Sequence, residues 1–204
     1  ITIKDLLTHT SGLPPFRQYY LMKGSIDTRL DSIYNTEPVF DLHETMVYSD
    51  VGIIILGKIV ETISKVKLDV FVQSNIFDPL GMNNTFYNPP KEKLHRMVPT
   101  EIDPKGNLIK GYVHDENAYS IGGVAGHAGL FSKTKDLAIF SQMMLNKGLY
   151  GWKRLFRSET VDLFTQRSNI IRGDSRCLGW DSPSGKASGG VYLSNASYGH
   201  TGFT

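Results

Sequence analysis

Hydrophobic residues follow a helical pattern in several separate segments of residues 1–168. The clearest run covers residues 51–63, where apolar side chains occupy nearly every face. This pattern is typical of a helix buried at the centre of a domain, and Ser49 or Asp50 can cap its start. Thr2 and Asp5 have the spacing of a capping box that opens a first short helix. Further helices are predicted at residues 68–77, at residues 133–146 with Ser132 as cap, and at residues 159–167 with Ser158 as cap.

Turn-forming and β-favouring residues dominate two other regions. Residues 83–120 carry prolines and short β-favouring patches, and the glycine-rich run 122–129 is expected to be a loop bordering a cleft. After Asn169 the chain is rich in glycine, serine and β-branched residues, and residues 178–180 and 191–193 are predicted strands. Helices come first and strands come late, without the alternation of a parallel sheet. This order favours an α+β fold.

Composition excludes several classes of protein. The 204 residues are 40% hydrophobic and 21% charged with a net charge of +2, which is typical of a folded domain without a basic face for nucleic acid. The longest apolar run is too short to span a bilayer. A single cysteine, Cys177, and six scattered histidines lack metal-site spacing, so no metal or cofactor is expected. The chain begins at Ile1 on the threshold of a helix and ends in a predicted strand. We therefore expect part of a longer protein, cut at both ends.

Tyr48-Ser49-Asp50 is the first motif with chemical potential. A tyrosine directly before a buried helix places its hydroxyl near backbone N–H groups and the positive end of the helix dipole. Such a site would lower the phenol pKa from about 10 and make the group usable as a base. Taken alone, the motif more often marks a packed tyrosine beside an ordinary cap.

His200-Thr201-Gly202 is the second motif. On a strand edge it offers a basic ring, a hydroxyl and an exposed backbone, which suit a substrate carboxylate and carbonyl held by strand addition. The alternative is a surface hairpin. Two further polar groups are expected to be structural: His127 as a loop histidine in the glycine-rich run, and residues 114–116 as a solvated loop.

Taken together, five segments resemble the penicillin-recognising serine hydrolases, and more narrowly the class C β-lactamase group with its D-Ala-D-Ala carboxypeptidases and esterases. They occur in the order found in that family and cover essentially the entire chain: "ITIKDLLTHTSGLP", "YSDVGIIILGKIVE", "DPLGM", "GYVHDENAYSIGGVAGHAGLFS" and "YGHTGFT". The fourth segment is also similar to the serine-hydrolase module fused behind some bacterial β-N-acetylglucosaminidases, so a fused domain is an expected partner.

The resemblance implies a β-lactamase/transpeptidase-like fold, with a helical subdomain beside an antiparallel sheet, incomplete at both ends. Residues 1–204 would form one domain, with residues 1–168 mainly helical and residues 169–204 starting the active-site sheet. The family nucleophile, the serine of a Ser-x-x-Lys motif, would lie upstream of Ile1. Two such strings in the chain, Ser64 to Lys67 and Ser132 to Lys135, follow Tyr48 instead of preceding it. Both are expected to be structural.

The resemblance also assigns roles to individual residues. Tyr48 would be general base toward the nucleophile and acid toward the leaving group, and His200 with Thr201 would hold a substrate carboxylate. His200 stands where the family usually has the lysine of Lys-Thr-Gly, which makes its charge pH-dependent. The Phe203 N–H, with that of the missing serine, would form the oxyanion hole. Asp50 replaces the more usual asparagine of Tyr-x-Asn, and Gly202 completes the substrate-binding strand.

The implied activity is hydrolysis or transfer of an amide or ester acyl group through a serine acyl-enzyme. Substrates would be D-Ala-D-Ala peptides, other peptidoglycan-derived molecules, β-lactams or esters, and the location the cell envelope or periplasm. Two alternatives remain open: a non-catalytic relative that binds the cell wall, and a structural module with no pocket. The serine-hydrolase interpretation predicts that Tyr48 and His200 converge on one cleft.

Overall fold

Helices are the main regular structure of the chain, as the hydrophobic pattern predicts. The computed structural model describes residues 1–184 and 192–203. Its α-helices are α1 Ile3–Leu7, α2 Ile26–Tyr34, α3 Asp50–Ser64, α4 Leu68–Val72, α5 Asp78–Leu80, α6 Glu116–Ser120, α7 Thr134–Leu145 and α8 Ser158–Thr165. Short 3-10 helices occur at Tyr19–Leu21 and Lys91–Arg96, and a π-helical stretch, Gln73–Phe77, joins α4 to α5. The single helix predicted over residues 68–77 is therefore divided.

Short antiparallel pairs supply the β structure between the helices. The strands are β1 Phe86–Tyr87, β2 Glu101–Ile102, β3 Leu108–Ile109, β4 Leu130–Phe131, β5 Leu149–Tyr150 and β6 Lys153–Arg154. They pair as β1 with β4, β2 with β3 and β5 with β6. The β1–β4 pair sets Phe86 opposite Phe131, and this joins the segment after α5 to the end of the glycine-rich loop.

Helix α3 lies at the centre of the larger core. Its inner face buries Val51, Ile54 and Gly57, and the surrounding core contains Leu6, Leu13, Ile33, Val113, Ala118, Ile121 and Ala125. The prediction of burial on every face is wrong for the opposite side. There Ile63 is 73% exposed, and half-buried α3 residues line an apolar groove of about 760 Å³ together with α4.

A second core joins the later helices. Phe77, Leu80 and Met82 pack with Met143, Met144 and Val161, which brings α5, α7 and α8 together. Trp180 and Tyr198 pack against this cluster at its edge. The C-terminal segment is thereby held beside the helical part.

Capping serines were predicted correctly at α3 and incorrectly at α7 and α8. Ser49 Oγ accepts the Gly52 N–H at 3.2 Å and caps α3. By contrast, Lys133 and Arg157 occupy the N-cap positions of α7 and α8, and Ser132 Oγ pairs with Thr85 Oγ1 at 2.8 Å. The Ser132 hydroxyl, which the local sequence pattern predicts as a helix cap, thus makes a tertiary contact with the segment before β1.

The C-terminal strands are only partly present in the described residues. Two isolated antiparallel bridges occur, Arg176 with Asp181 and Asp181 with Gly199. Residues 178–180 form a turn instead of the predicted strand, because Gly179 has a positive φ and the Cys177 N–H bonds the Trp180 carbonyl at 2.9 Å. Of the predicted strand 191–193, Val191 lies outside the described residues and the other two positions are not in a strand. His200, Thr201 and Gly202 likewise do not pair with another strand among the described residues.

Cys177 is a free and buried thiol. Among the described residues, no helix combines the length and apolar character that crossing a bilayer requires.

A close backbone approach in the larger core predicts the effect of one substitution. A methyl group on Gly126 would lie 2.3 Å from the Ile53 carbonyl oxygen, a backbone atom that cannot move aside. We expect Gly126→Ala to lower the free energy of unfolding by about 1–3 kcal/mol, the usual cost of overpacking. Gly199→Ala is the control, since a methyl there meets nothing within 4 Å. Equal denaturant midpoints for both variants would contradict this contact.

Candidate functional site

Tyr48 and His200 face each other across one cleft. Their ring centroids lie 5.7 Å apart, and both residues line a cavity of about 1680 Å³. The start of α3, the glycine-rich loop and the C-terminal segment form its walls. The predicted convergence is confirmed, although the two residues come from opposite ends of the chain.

Tyr48 lies just before α3, and its ring packs close to the side chains of His9 and Arg176. The His9 ring centroid is 4.4 Å away, and Arg176 Cζ lies 5.3 Å from the Tyr48 ring centroid. The prediction of a lowered phenol pKa is wrong for this structure. Burial raises the pKa of Tyr48 and the Asp50 carboxylate adds to the rise, while Arg176 opposes both. In these surroundings the phenol holds its proton.

His9 was not identified from the sequence, yet it contacts the site directly. It is 2% exposed, and its Nδ1 accepts the Ser49 N–H at 3.1 Å. Burial lowers the pKa of His9 to about 3, and the charges of Arg176 and His200 act in the same direction. The imidazole is therefore neutral over the physiological range. In the sequence it is one polar residue among several at the end of a short helix, without a distinguishing spacing.

A second polar group forms the wall next to Tyr48. Asp115 caps α6 through the Ala118 N–H, and its Oδ1 lies 2.9 Å from Nε2 of His127. Burial raises the pKa of Asp50, with Asp115 adding to the rise and His127 opposing it. Burial also acts to raise the pKa of Asp115, but the hydrogen bonds from His127 and Ala118 hold it below its usual range.

The expectation of a solvated loop at residues 114–116 is therefore wrong, and His127 is more than a loop histidine. Within the described ranges, Asp50, Asp115 and His127 are the group whose donor atoms, all within 4.8 Å of one another, suit a metal ion. An Asp and His pair on separate loops has no fixed spacing, so the sequence carried no signal for it.

Arg176 was also missed. This arginine is 8% exposed and lines the cleft. Its Nε and Nη1 have no hydrogen-bond partner within residues 1–184 and 192–203. A buried guanidinium is costly unless it meets an anion or several acceptors. This side chain can bind a carboxylate that enters the cleft.

The His-Thr-Gly segment lies along the rim of the cleft. His200 Nδ1 donates to the Thr201 carbonyl at 2.7 Å, and Thr201, Gly202 and Phe203 are exposed and line the cavity. The Phe203 ring meets His114 edge-on at 5.6 Å. All six residues proposed from the sequence, Tyr48, Asp50, His200, Thr201, Gly202 and Phe203, thus line the same cavity. Their catalytic and binding roles remain predictions.

The two Ser-x-x-Lys strings make structural contacts. Ser64 ends α3, and its Oγ bonds both the N–H and the carbonyl of Val66 at 3.2 Å. Ser132 lines the cleft, but its hydroxyl pairs with Thr85 instead of a lysine amine.

The whole chain matches a known protein family. The sequence model of the family described as Beta-lactamase matches residues 1–204. A Salmonella heidelberg protein, provisionally named as a D-alanyl-D-alanine carboxypeptidase, is 38% identical over 230 residues. That alignment covers 100% of this chain and 52% of the Salmonella protein. The chain therefore spans about half the length of the curated relatives it matches.

Solved structures share the fold at low sequence identity. A penicillin-binding protein homologue from Caulobacter crescentus aligns with a TM-score of 0.72 at 14% identity, covering 99% of this chain and 60% of that one. A class C beta-lactamase from Rhodobacter sphaeroides aligns with a TM-score of 0.65 at 17% identity, covering 92% and 50% of the two chains. The β-lactamase/transpeptidase-like fold is thereby confirmed.

The neutral, buried His9 predicts a specific pH dependence of stability. Its folded pKa of about 3 is below its unfolded value of 6.5, so the unfolded state binds the extra proton first. His9 therefore contributes no pH dependence above 6.5. Below that it removes stability as pH falls toward 3, by at most about 1.4 kcal/mol per pH unit.

Thermal melts of the wild type and His9→Asn between pH 7.5 and 4 measure this effect. As the pH falls, we expect the Tm of the wild type to decrease more than the Tm of His9→Asn. His95→Asn, at an exposed histidine, is the control and should follow the wild-type curve. A pH-independent difference for His9→Asn would show that folding does not lower the pKa of His9.

Proposed function

The chain belongs to the β-lactamase family, and from that premise we propose that it supplies part of a hydrolase acting on amide or ester bonds. The proposed mechanism passes through a serine acyl-enzyme of the class C β-lactamase and carboxypeptidase type. The observation that carries the proposal is that the Tyr48 ring, which bears the hydroxyl, faces His200 in a cleft that Arg176 also lines. Residues 1–204 are proposed to belong to one domain, completed by the serine and lysine of the family motif.

Tyr48 is assigned the proton transfers. Acylation starts from the Tyr48 phenolate, which takes the serine hydroxyl proton as the serine oxygen attacks the substrate carbonyl. The same proton then passes to the departing nitrogen or oxygen. Burial and Asp50 favour the protonated phenol, so cations must favour the phenolate. Arg176 supplies one positive charge, and the family lysine would supply another.

The opposite wall is assigned to substrate binding. His200 and Thr201 offer a ring donor and a hydroxyl at the rim, and the unpartnered guanidinium of Arg176 lies deeper. Together they suit a substrate with a free carboxylate. The Phe203 N–H is proposed as one donor of the oxyanion hole, with the serine N–H as the other. Asp50 presents a carboxylate where the family usually has an amide, so it would accept a hydrogen bond from the substrate.

Peptidoglycan-derived peptides are the proposed substrates, because they combine a free carboxylate with an adjacent amide. The name of the Salmonella relative agrees with this choice. The location proposed with these substrates is the cell envelope or periplasm.

Replacing Tyr48 by phenylalanine in the intact protein tests its role. Only one oxygen is removed, so stability should fall by at most about 0.5–1.5 kcal/mol. The acylation rate should fall by about 10²–10⁴-fold, because general-base assistance is lost. The matched control is Tyr119→Phe, at a tyrosine that is 61% exposed and outside the cavity lining. Acylation of Tyr48→Phe within a few-fold of wild type would remove this assignment.

Covalent labelling tests where the nucleophile lies. We expect a fluorescent penicillin not to label residues 1–204 alone, because Ser132 and Ser64 make structural contacts. In the intact protein, labelling should persist in Ser132→Ala and Ser64→Ala. A label mapped by peptide mass spectrometry to either serine would refute the structural assignment. An intact protein that binds the penicillin without covalent labelling would support the cell-wall-binding alternative.

A further inference from the structure

We propose that His9 is a positioning residue for Tyr48, fixing the backbone on both sides of the tyrosine and the face of its ring. The proposal deepens the assigned function, since it takes Tyr48 as the proton-transfer group. It concerns a side chain that is not expected to touch the substrate.

The contacts of His9 converge on three consecutive residues. The His9 carbonyl accepts the Val47 N–H at 2.9 Å, and its Nδ1 accepts the Ser49 N–H at 3.1 Å. Between these two bonds, the ring packs on Tyr48 with a centroid distance of 4.4 Å. Movement of the Tyr48 backbone or ring would disturb at least one of the three contacts.

The backbone of His9 is unusual for a residue with a side chain. Helix α1 ends in a Schellman arrangement, in which the Thr10 N–H bonds the Asp5 carbonyl at 2.9 Å and the His9 N–H bonds the Leu6 carbonyl at 3.3 Å. His9 occupies the left-handed position of this motif with φ +58°. Glycine is the usual residue there because it adopts that conformation without strain. A strained side chain at this position is explained by the contacts that it makes with residues 47–49.

The charges around His9 keep its Nδ1 unprotonated and able to accept a hydrogen bond. Arg176 and His200 face it from the C-terminal segment and disfavour a positive imidazole, Asp181 acts weakly in the opposite sense, and Tyr48 covers one ring face. Protonation of Nδ1 would replace its acceptor lone pair by a hydrogen directed at the Ser49 N–H. A neutral ring is thus a condition for holding the tyrosine.

Three substitutions in the intact protein separate positioning from general stability. His9→Gly relieves the backbone strain and removes both side-chain contacts. His9→Phe keeps a ring but has no acceptor, and His9→Asn keeps a short acceptor and tolerates the left-handed conformation. We expect the acylation rate constant of His9→Gly and His9→Phe to fall by about 10–100-fold, since misplacement by about 1 Å has effects of this size. His9→Asn should recover at least part of the loss, and KM should change little in all three.

The position of Tyr48 is measured independently of activity. In protein containing ¹³C-labelled tyrosine, the ring signal of Tyr48 is assigned by its loss in Tyr48→Phe. It should be a single sharp resonance in the wild type, and it should broaden or split in His9→Gly, with melting temperatures recorded for each variant.

The outcomes distinguish this proposal from the function on which it rests. If Tyr48→Phe acylates normally, the proton-transfer role fails, and the Tyr48 resonance still decides whether His9 positions the ring. If Tyr48→Phe is impaired but His9→Gly acylates at the wild-type rate with an unchanged Tyr48 resonance, the positioning proposal is overturned. Loss of activity in His9→Gly with an altered resonance and an unchanged melting temperature supports it.

Discussion

The hydrogen bonds of Ser49 hold the turn after α1 and the Pro14 segment against the start of α3. The Ser49 N–H is held by His9, and the buried Ser49 hydroxyl donates to the Pro14 carbonyl at 2.7 Å while accepting the Gly52 N–H. The turn after α1, the Pro14 segment and the start of α3 are therefore fixed relative to one another. Because Tyr48 and Asp50 flank this serine, their directions into the cleft follow from the same bonds.

Charge is distributed unequally around the phenol. Arg176 and His200 lie on the side of the C-terminal segment, and Asp50 and Asp115 lie on the side of α3 and α6. The helix dipole alone suggested a more acidic tyrosine, but the positive end of α3 already meets the Ser49 hydroxyl and the Asp50 carboxylate in its first turn. Burial and a neighbouring anion then outweigh the dipole, since the dipole is effective only over a short range. The acidity of this tyrosine depends on the cations that reach it.

Local signals predicted the features that depend on neighbours in the chain. The capping box at Thr2 and Asp5, the cap at Ser49 and the central helix follow from spacing within one turn. The resemblance to a family then placed Tyr48 and His200 in one cleft. Features that depend on distant partners were missed. Ser132 bonds Thr85, and His127 bonds Asp115, so their environments depend on the tertiary arrangement. His9 and Arg176 have no spacing that marks them, because burial beside Tyr48 gives them their role.

The contacts that hold the His-Thr-Gly segment at the rim of the cleft determine how easily that segment moves. Gly199 and Asp181 exchange two backbone hydrogen bonds, at 2.8 and 2.9 Å, and Trp180 meets Tyr198 edge-on at 5.5 Å. With the edge-on contact between Phe203 and His114, these contacts hold His200 opposite the helical wall. Local opening requires breaking few interactions there, whereas exposing the amides of α3 requires disrupting the larger core. Amide hydrogens on the two sides of the cleft will therefore exchange with solvent at very different rates, and the gap between Tyr48 and His200 will widen mainly by movement of the histidine.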